Sequence, residues 1–408
     1  MRNRTTPFPD AAGAMLPAAT QSTRGTLNLG ESRGSDQAPV LADESPILRA
    51  PRDISGNMIE LRSGQCEPLE AGHVEVGHGV LENLHFGLCR VYLTATQDTT
   101  LPEREHPGPL IQDRFGSALK HSVCPAPNNE CREECRQPAR CDYAGIFKPT
   151  PAVITDGTWM GDIPRPFVFE PYLSDKRHYA RGEALVFNFL LIGTALGRFP
   201  SVVMAFQDMA RFGLGEKAPA RSPWNVERVV LIAHGDAPDG LVLFPAAGLA
   251  AQGPLPRKLW TDLVTESEQL SAEHLTLDLR TPLRVKKERR LVQQFDTETL
   301  VRALTRRISW LSRLWCGAPP IQDFEAQIKS WCSRIECQSE NARWEDWTRH
   351  STQRNRDLRL GGVRGAIVLR GELFRPGDQT DLRVWLKLGE YLHLGSQTVL
   401  GLGRYTCR

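Results

Sequence analysis

Cys124, Cys131, Cys135 and Cys141 put four thiols within eighteen residues, enough donors to hold one Zn²⁺ tetrahedrally and staple a loop. The spacing is not that of two CxxC knuckles, so an iron–sulfur cluster and four unligated reduced thiols stand beside the structural metal as readings. A second constellation closes the sequence. Gly395, Gly401 and Gly403 stand where an amphipathic segment gives way to a short terminal strand. Glycine permits positive φ and close main-chain approach, so such a loop can turn its N–H groups toward an anion such as phosphate.

Charge points the same way. The 408 residues carry a net charge of +2, but residues 275–408 are +9 and the remainder is −7. A basic third suits a polyanionic partner, although an ordinary solvated surface has the same composition. Its cations cluster twice, at Lys286, Lys287, Arg289 and Arg290 and again at Arg349, Arg354, Arg356, Arg359 and Arg364. Trp344 and Trp347 lie beside the second cluster, where they suit either base stacking or the core.

The elements that must position these groups follow from periodicity. In the first half, strands are predicted at 85–94, 167–171, 184–194 and 226–233. Helices are predicted at 109–121 and 199–212, and a hairpin at 236–244. In the second half, a strand at 275–280 precedes a helix at 297–316 with Leu300, Leu304, Ile308, Leu311 and Trp315 on one face. A helix at 323–335, a strand at 365–370, a helix at 379–392 and the terminal strand follow. Both halves therefore read as βαββαβ, with one middle strand of the second half unplaced. The expected fold is α+β: tandem ferredoxin-like, RRM-like modules at 84–265 and 272–408, the first with a Cys-rich insert at 122–148. Residues 1–83 are rich in Pro, Gly, Ser and Thr without hydrophobic period and read as a disordered extension.

The longest apolar run, 184–197, is interrupted by Asn188 and Gly193 and is too short for a membrane span. No apolar signal segment stands at the N-terminus, so a cytoplasmic protein with no membrane partner is expected, its cysteines reduced or metal-bound.

With its tandem halves and its ending Leu392-His-Leu-Gly-Ser-Gln-Thr-Val-Leu-Gly-Leu-Gly-Arg-Tyr405, the sequence resembles the CRISPR precursor-RNA-processing endoribonucleases of the RAMP superfamily. Further pieces occur in the family's order: the Leu101-Pro loop, the helix 112–120, the insert 124–147, Gly213-Leu-Gly215, Thr281-Pro-Leu-Arg284, and 349–354 followed by Gly361-Gly-Val-Arg-Gly365. They cover about residues 84–408. One departure stands out. His393 takes the place of the first glycine in the family's Gly-x-Gly, five residues, Gly-x-Gly pattern.

The resemblance implies prokaryotic, metal-independent RNA cleavage, in which a ribose 2′-hydroxyl attacks the adjacent phosphate. That leaves a 2′,3′-cyclic phosphate and a 5′-hydroxyl, with no cofactor in the chemistry. Family catalytic histidines fall around the first helix, which selects His121, then His106, with Lys120 stabilising the phosphorane. Histidine serves either proton transfer because its pKa lies near ~6.5, and a helix C-terminus favours its charged form. As a plain alternative His121 only caps the helix. RNA would be held by Gly395, Gly401, Gly403, Arg404, Arg349, Arg354 and Arg364. The partners implied are CRISPR repeat RNA, as precursor and product, and subunits of an effector complex. Two rivals share the same features: a non-catalytic RNA-binding RAMP subunit of such a complex, and an unrelated zinc-stabilised RNA-binding protein.

Overall fold

A six-stranded and a four-stranded antiparallel sheet, each backed by helices, dominate the computed structural model. It describes residues 79–102, 107–124, 141–149, 163–174, 176–214, 221–244, 253–319, 324–351, 356–375 and 381–408. All of these fall in one compact unit, 71–408. The expected extension lies outside the described residues except for a helical turn at Gly79–Glu82.

In the N-terminal module β1 (His85–Ala95), α1 (Gly108–Val123), β2 (Phe167–Pro171), β3 (Ala184–Ile192), α2 (Phe199–Phe212) and β4 (Trp224–Leu231) follow in order. The strands lie side by side as β2-β3-β1-β4, with Val242–Phe244 extending the sheet beyond β4 as the expected hairpin. The C-terminal module repeats this with β5 (His274–Leu283), α3 (Thr297–Cys316), α4 (Phe324–Arg334), β6 (Ile335–Glu345), β7 (Gly362–Gly371), α5 (Leu382–Leu392) and β8 (Tyr405–Cys407). Its order is β6-β7-β5-β8, the same permutation. This is the ferredoxin-like βαββαβ arrangement twice over, as the sequence led us to expect.

Local chemistry fixes the elements. Asp296 caps α3 by accepting from the Thr299 N–H at 2.7 Å, and Gly317 ends the helix in the left-handed region at φ 69°. Its five expected apolar residues are all buried. Asp381 caps α5 in the same way, accepting from the Arg383 N–H at 2.9 Å. The unplaced strand is β6, paired along β7 with a bulge between Glu340 and Arg343. Most of its residues face solvent, so it carries little apolar alternation.

On β1, Cys89, Val91, Leu93 and Ala95 face α1 and α2 in one core. Phe86 and Leu88, on the opposite face, join Leu275, Leu277, Leu304 and Trp315 of the second module in another. The modules thus share a core, and Trp315 Nε1 donates across it to the Pro164 carbonyl at 2.8 Å. Among the described residues, no helix is long and apolar enough to cross a membrane.

Candidate active site and the clamp between modules

α1 and α2 run side by side on the N-terminal sheet, and their C-terminal ends meet. There His121, in the last turn of α1, stands just over half exposed. Its Nδ1 lies 3.3 Å from Oδ2 of Asp208 on α2. Ser122 Oγ donates to the same oxygen at 2.8 Å, and Arg211 Nη2 donates to Oδ1 at 2.6 Å. Phe212 meets the His121 ring edge to face at 5.0 Å. His121, Ser122, Asp208 and Arg211 border an open cleft of about 1040 Å³, which also takes in Glu227 and Asn225 from β4 and Thr94 from β1. Lys120 sits in the same last turn, half-buried. His106 lies outside the described residues.

The glycine-rich segment has a different environment. Gly403 (φ 74°) donates its N–H to Pro282 O at 3.0 Å and accepts from Leu394 N at 2.9 Å. Gly401 (φ 88°) donates to Thr398 O at 2.9 Å, while its own carbonyl accepts from Thr281 Oγ1 at 2.8 Å. Gly395 (φ 85°) bridges Arg284, whose carbonyl accepts from Ser396 N at 2.9 Å. The segment is thus laced to Thr281-Pro-Leu-Arg284, and the amides of Gly401 and Gly403, expected on phosphate, are engaged within the chain. Its turn Thr398–Leu400 packs on α1 and β2 of the other module, where Val399 meets the core.

His393 keeps the glycine-like backbone, at φ 57°, that its position demands. Its fully buried ring reaches across the modules: Nε2 lies 3.0 Å from Glu170 Oε1 on β2, and Nδ1 3.1 Å from the Leu402 carbonyl. Asn188 on β3, in register with Glu170, donates to Glu170 Oε2 at 3.1 Å. Arg90 on β1 donates to Asn188 Oδ1 at 3.0 Å and Asp239 Oδ1 at 3.0 Å. Burial opposes ionisation of Glu170, but Arg404, the His393 N–H and the Asn188 amide outweigh it and hold the carboxyl down at about 2. Burial, helped by Arg404 and Arg307, lowers the His393 pKa against the pull of Glu170. Arg404, expected on RNA, faces Asp236 at 3.1 Å and Glu170 at 4.0 Å.

Of the other expected residues, Arg364 lies 3.6 Å from Glu345. The Arg349 backbone is in the strand Thr348–Ser351, and Arg354 falls outside the described residues. Cys124 caps the end of α1 and Cys141 the start of the helix Asp142–Ile146, both as free thiols, while Cys131 and Cys135 fall outside. Gly213 ends α2 at φ 84°, and Gly215 is likewise not described. Trp347 is buried with Leu360, Leu400 and Leu402, whereas Trp344 is partly exposed with its Nε1 on Asp346 at 3.1 Å. Asp208, Glu170 and Asn188 carried no motif, although polar residues in register within the apolar strands β2 and β3 were a readable sign of a buried contact.

The paired ferredoxin-like modules, with the glycine segment clamped between them, define a two-module α+β protein. Residues 277–405 match the family model "CRISPR-associated endoribonuclease Cas6", and residues 84–246 match an N-terminal domain model, AF_1859_N. The C-terminal module is therefore of the Cas6 type, the family of CRISPR-associated, RNA-cleaving proteins whose model it matches. No curated protein matched. Among solved structures, a Cas6 product complex is similar at 15% identity, covering 79% of this chain and 100% of that chain, with a TM-score of 0.45. Thermus thermophilus Cas6 is similar at 13% identity over 80% of this chain and 99% of that chain, with a TM-score of 0.45. A partial Cas6-RT-Cas1–Cas2 complex is similar at 12% identity, over 80% of this chain and 46% of that chain, with a TM-score of 0.47.

Proposed function

We propose that this protein cuts CRISPR repeat RNA once per repeat, by attack of a ribose 2′-hydroxyl on the adjacent phosphate. The observation that carries this reading is the His121 ring at the border of the cleft, with Nδ1 turned to Asp208 and Nε2 on the ring's other side. An imidazole so placed can protonate the departing 5′-oxygen or accept the 2′-hydroxyl proton. Lys120, in the same helical turn, supplies charge for the phosphorane. The O–P bond to the 5′-oxygen breaks as the 2′-O–P bond forms, so the products are a cyclic phosphate and a 5′-hydroxyl, and no metal is needed. Prokaryotic cytoplasm is the setting in which such a transcript and its downstream effector subunits would be met.

RNA backbone would follow the basic surface of the C-terminal module. A groove of about 640 Å³ between α3, α4 and the start of the 286–291 hairpin is bordered by Lys286, Lys287, Arg306 and Arg313, with Trp310 among them. These cations take over the holding role that the committed glycine amides leave open. Cleavage of repeat RNA in excess chelator, with product ends mapped to the nucleotide, tests the reading. Tight binding without a cut would favour the non-catalytic RAMP subunit.

A further inference from the structure

Asp208 is held from three sides at the point where α1 and α2 end. One oxygen faces His121 Nδ1 at 3.3 Å and Ser122 Oγ at 2.8 Å, and the other accepts from Arg211 at 2.6 Å. The side chain is only 18% exposed, against 55% for His121 and 70% for Arg211, so the carboxylate is the fixed member of the group. A carboxylate can only accept, so the nitrogen opposite it must carry the proton. In the neutral ring this places the lone pair on Nε2. Phe212, edge to face with the imidazole at 5.0 Å, limits rotation of the same ring.

We propose that Asp208 is a positioning residue for His121: it selects the Nδ1–H tautomer, fixes the ring's rotation so that Nε2 meets the scissile phosphate, and stabilises the imidazolium once Nε2 takes up a proton. Arg211 and Ser122 hold the carboxylate in that orientation. This inference rests on the assignment of proton transfer to His121. It goes further in assigning α2 a share of the site, so that the helix pair must stay docked for the histidine to be competent.

The test uses the full chain labelled with ¹⁵N-histidine, together with single-turnover cleavage at saturating RNA. In the unaltered protein the His121 nitrogens should show the Nδ1–H tautomer. Asp208→Ala should shift the population toward Nε2–H and slow cleavage ~10- to 100-fold with RNA affinity unchanged. Asp208→Asn, whose amide oxygen can still accept from Nδ1, should restore the tautomer and part of the rate, which a mere loss of folding would not allow. An unchanged tautomer in Asp208→Ala, or an unchanged rate, would overturn the proposal. Full activity in His121→Ala would remove the reading beneath it and so be told apart from a failure of Asp208 alone.

Discussion

His393 and Glu170, which are 223 residues apart in sequence, meet at 3.0 Å across the two modules, and neither side chain is more than 4% exposed. The contact explains why a histidine is tolerated where the family pattern has glycine. A non-glycine residue at φ 57° is strained, by roughly 1–3 kcal/mol. The cross-module hydrogen bond to a charged acceptor offsets that strain. Arg307 supports the same corner by donating to Leu392 O and His393 O at the C-terminal end of α5, where a cation also suits the helix dipole.

Replacing His393 separates strain from contact. His393→Ala keeps the unfavourable φ and leaves Glu170 without its partner, and should destabilise the fold by about 3 kcal/mol in urea unfolding. His393→Gly loses the same contact but accepts the backbone freely, and should cost about 1 kcal/mol less than alanine. Equal losses would show that the backbone there is not strained.

Glu170 makes the fold acid-sensitive. Its carboxyl is held at about 2, below the ordinary 4.5, by Arg404, His393 and Asn188 acting against burial. A depressed folded-state pKa contributes stability that is complete above pH 4.5 and is lost as pH falls toward 2. By linkage the contribution is about 3 kcal/mol. Glu170→Gln should lower stability at pH 7 and flatten the stability profile between pH 4.5 and 2. A profile as steep as the unaltered protein's would place the acid sensitivity elsewhere.

If the His121 ring acts on protons and not on grip, His121→Ala should slow single-turnover cleavage ~10²-fold or more while leaving RNA affinity nearly intact. A filter-binding isotherm beside the rate separates the two effects. Loss of affinity with an unchanged rate constant would make His121 a binding residue.

Much of this was legible in sequence wherever a local pattern carries the information. The apolar face of α3, Leu300 to Trp315, lies within one helix and was read from its spacing alone. β6 escaped because an edge strand with most residues in solvent has no alternation to read. The glycine segment was visible, but not the direction of its amides: that depends on Thr281 and Pro282, more than a hundred residues away, and on a turn that enters the other module. His121 was within reach of sequence, whereas Asp208, 87 residues later, was not. Its role depends on how two helices dock.

The cysteine insert yields an independent prediction. Cys124, Cys131, Cys135 and Cys141 together supply the four thiolates of a tetrahedral site, the first standing just after α1 and the last just before the helix Asp142–Ile146. We propose that such a site holds one structural Zn²⁺. Purified protein should carry about one equivalent, lost in Cys131→Ser/Cys135→Ser. A metal-free preparation of full stability would leave the four thiols as ordinary reduced cysteines.

The basic groove can be tested by its salt dependence. Lys286 and Arg306 are exposed along it, whereas Arg302, which lines the same groove, is tied to Glu298 at 2.8 Å and to Glu325 at 2.6 Å. An arginine already paired with two carboxylates has little charge left for phosphate. If RNA backbone lies in this groove, Lys286→Ala and Arg306→Ala should each weaken repeat-RNA binding and reduce the log–log salt slope by about 0.7 to 0.9. Arg302→Ala should change the slope less and stability more, since it frees two acidic side chains beside the track. A slope unaltered by Lys286→Ala and Arg306→Ala together would move the RNA path off this face of the C-terminal module.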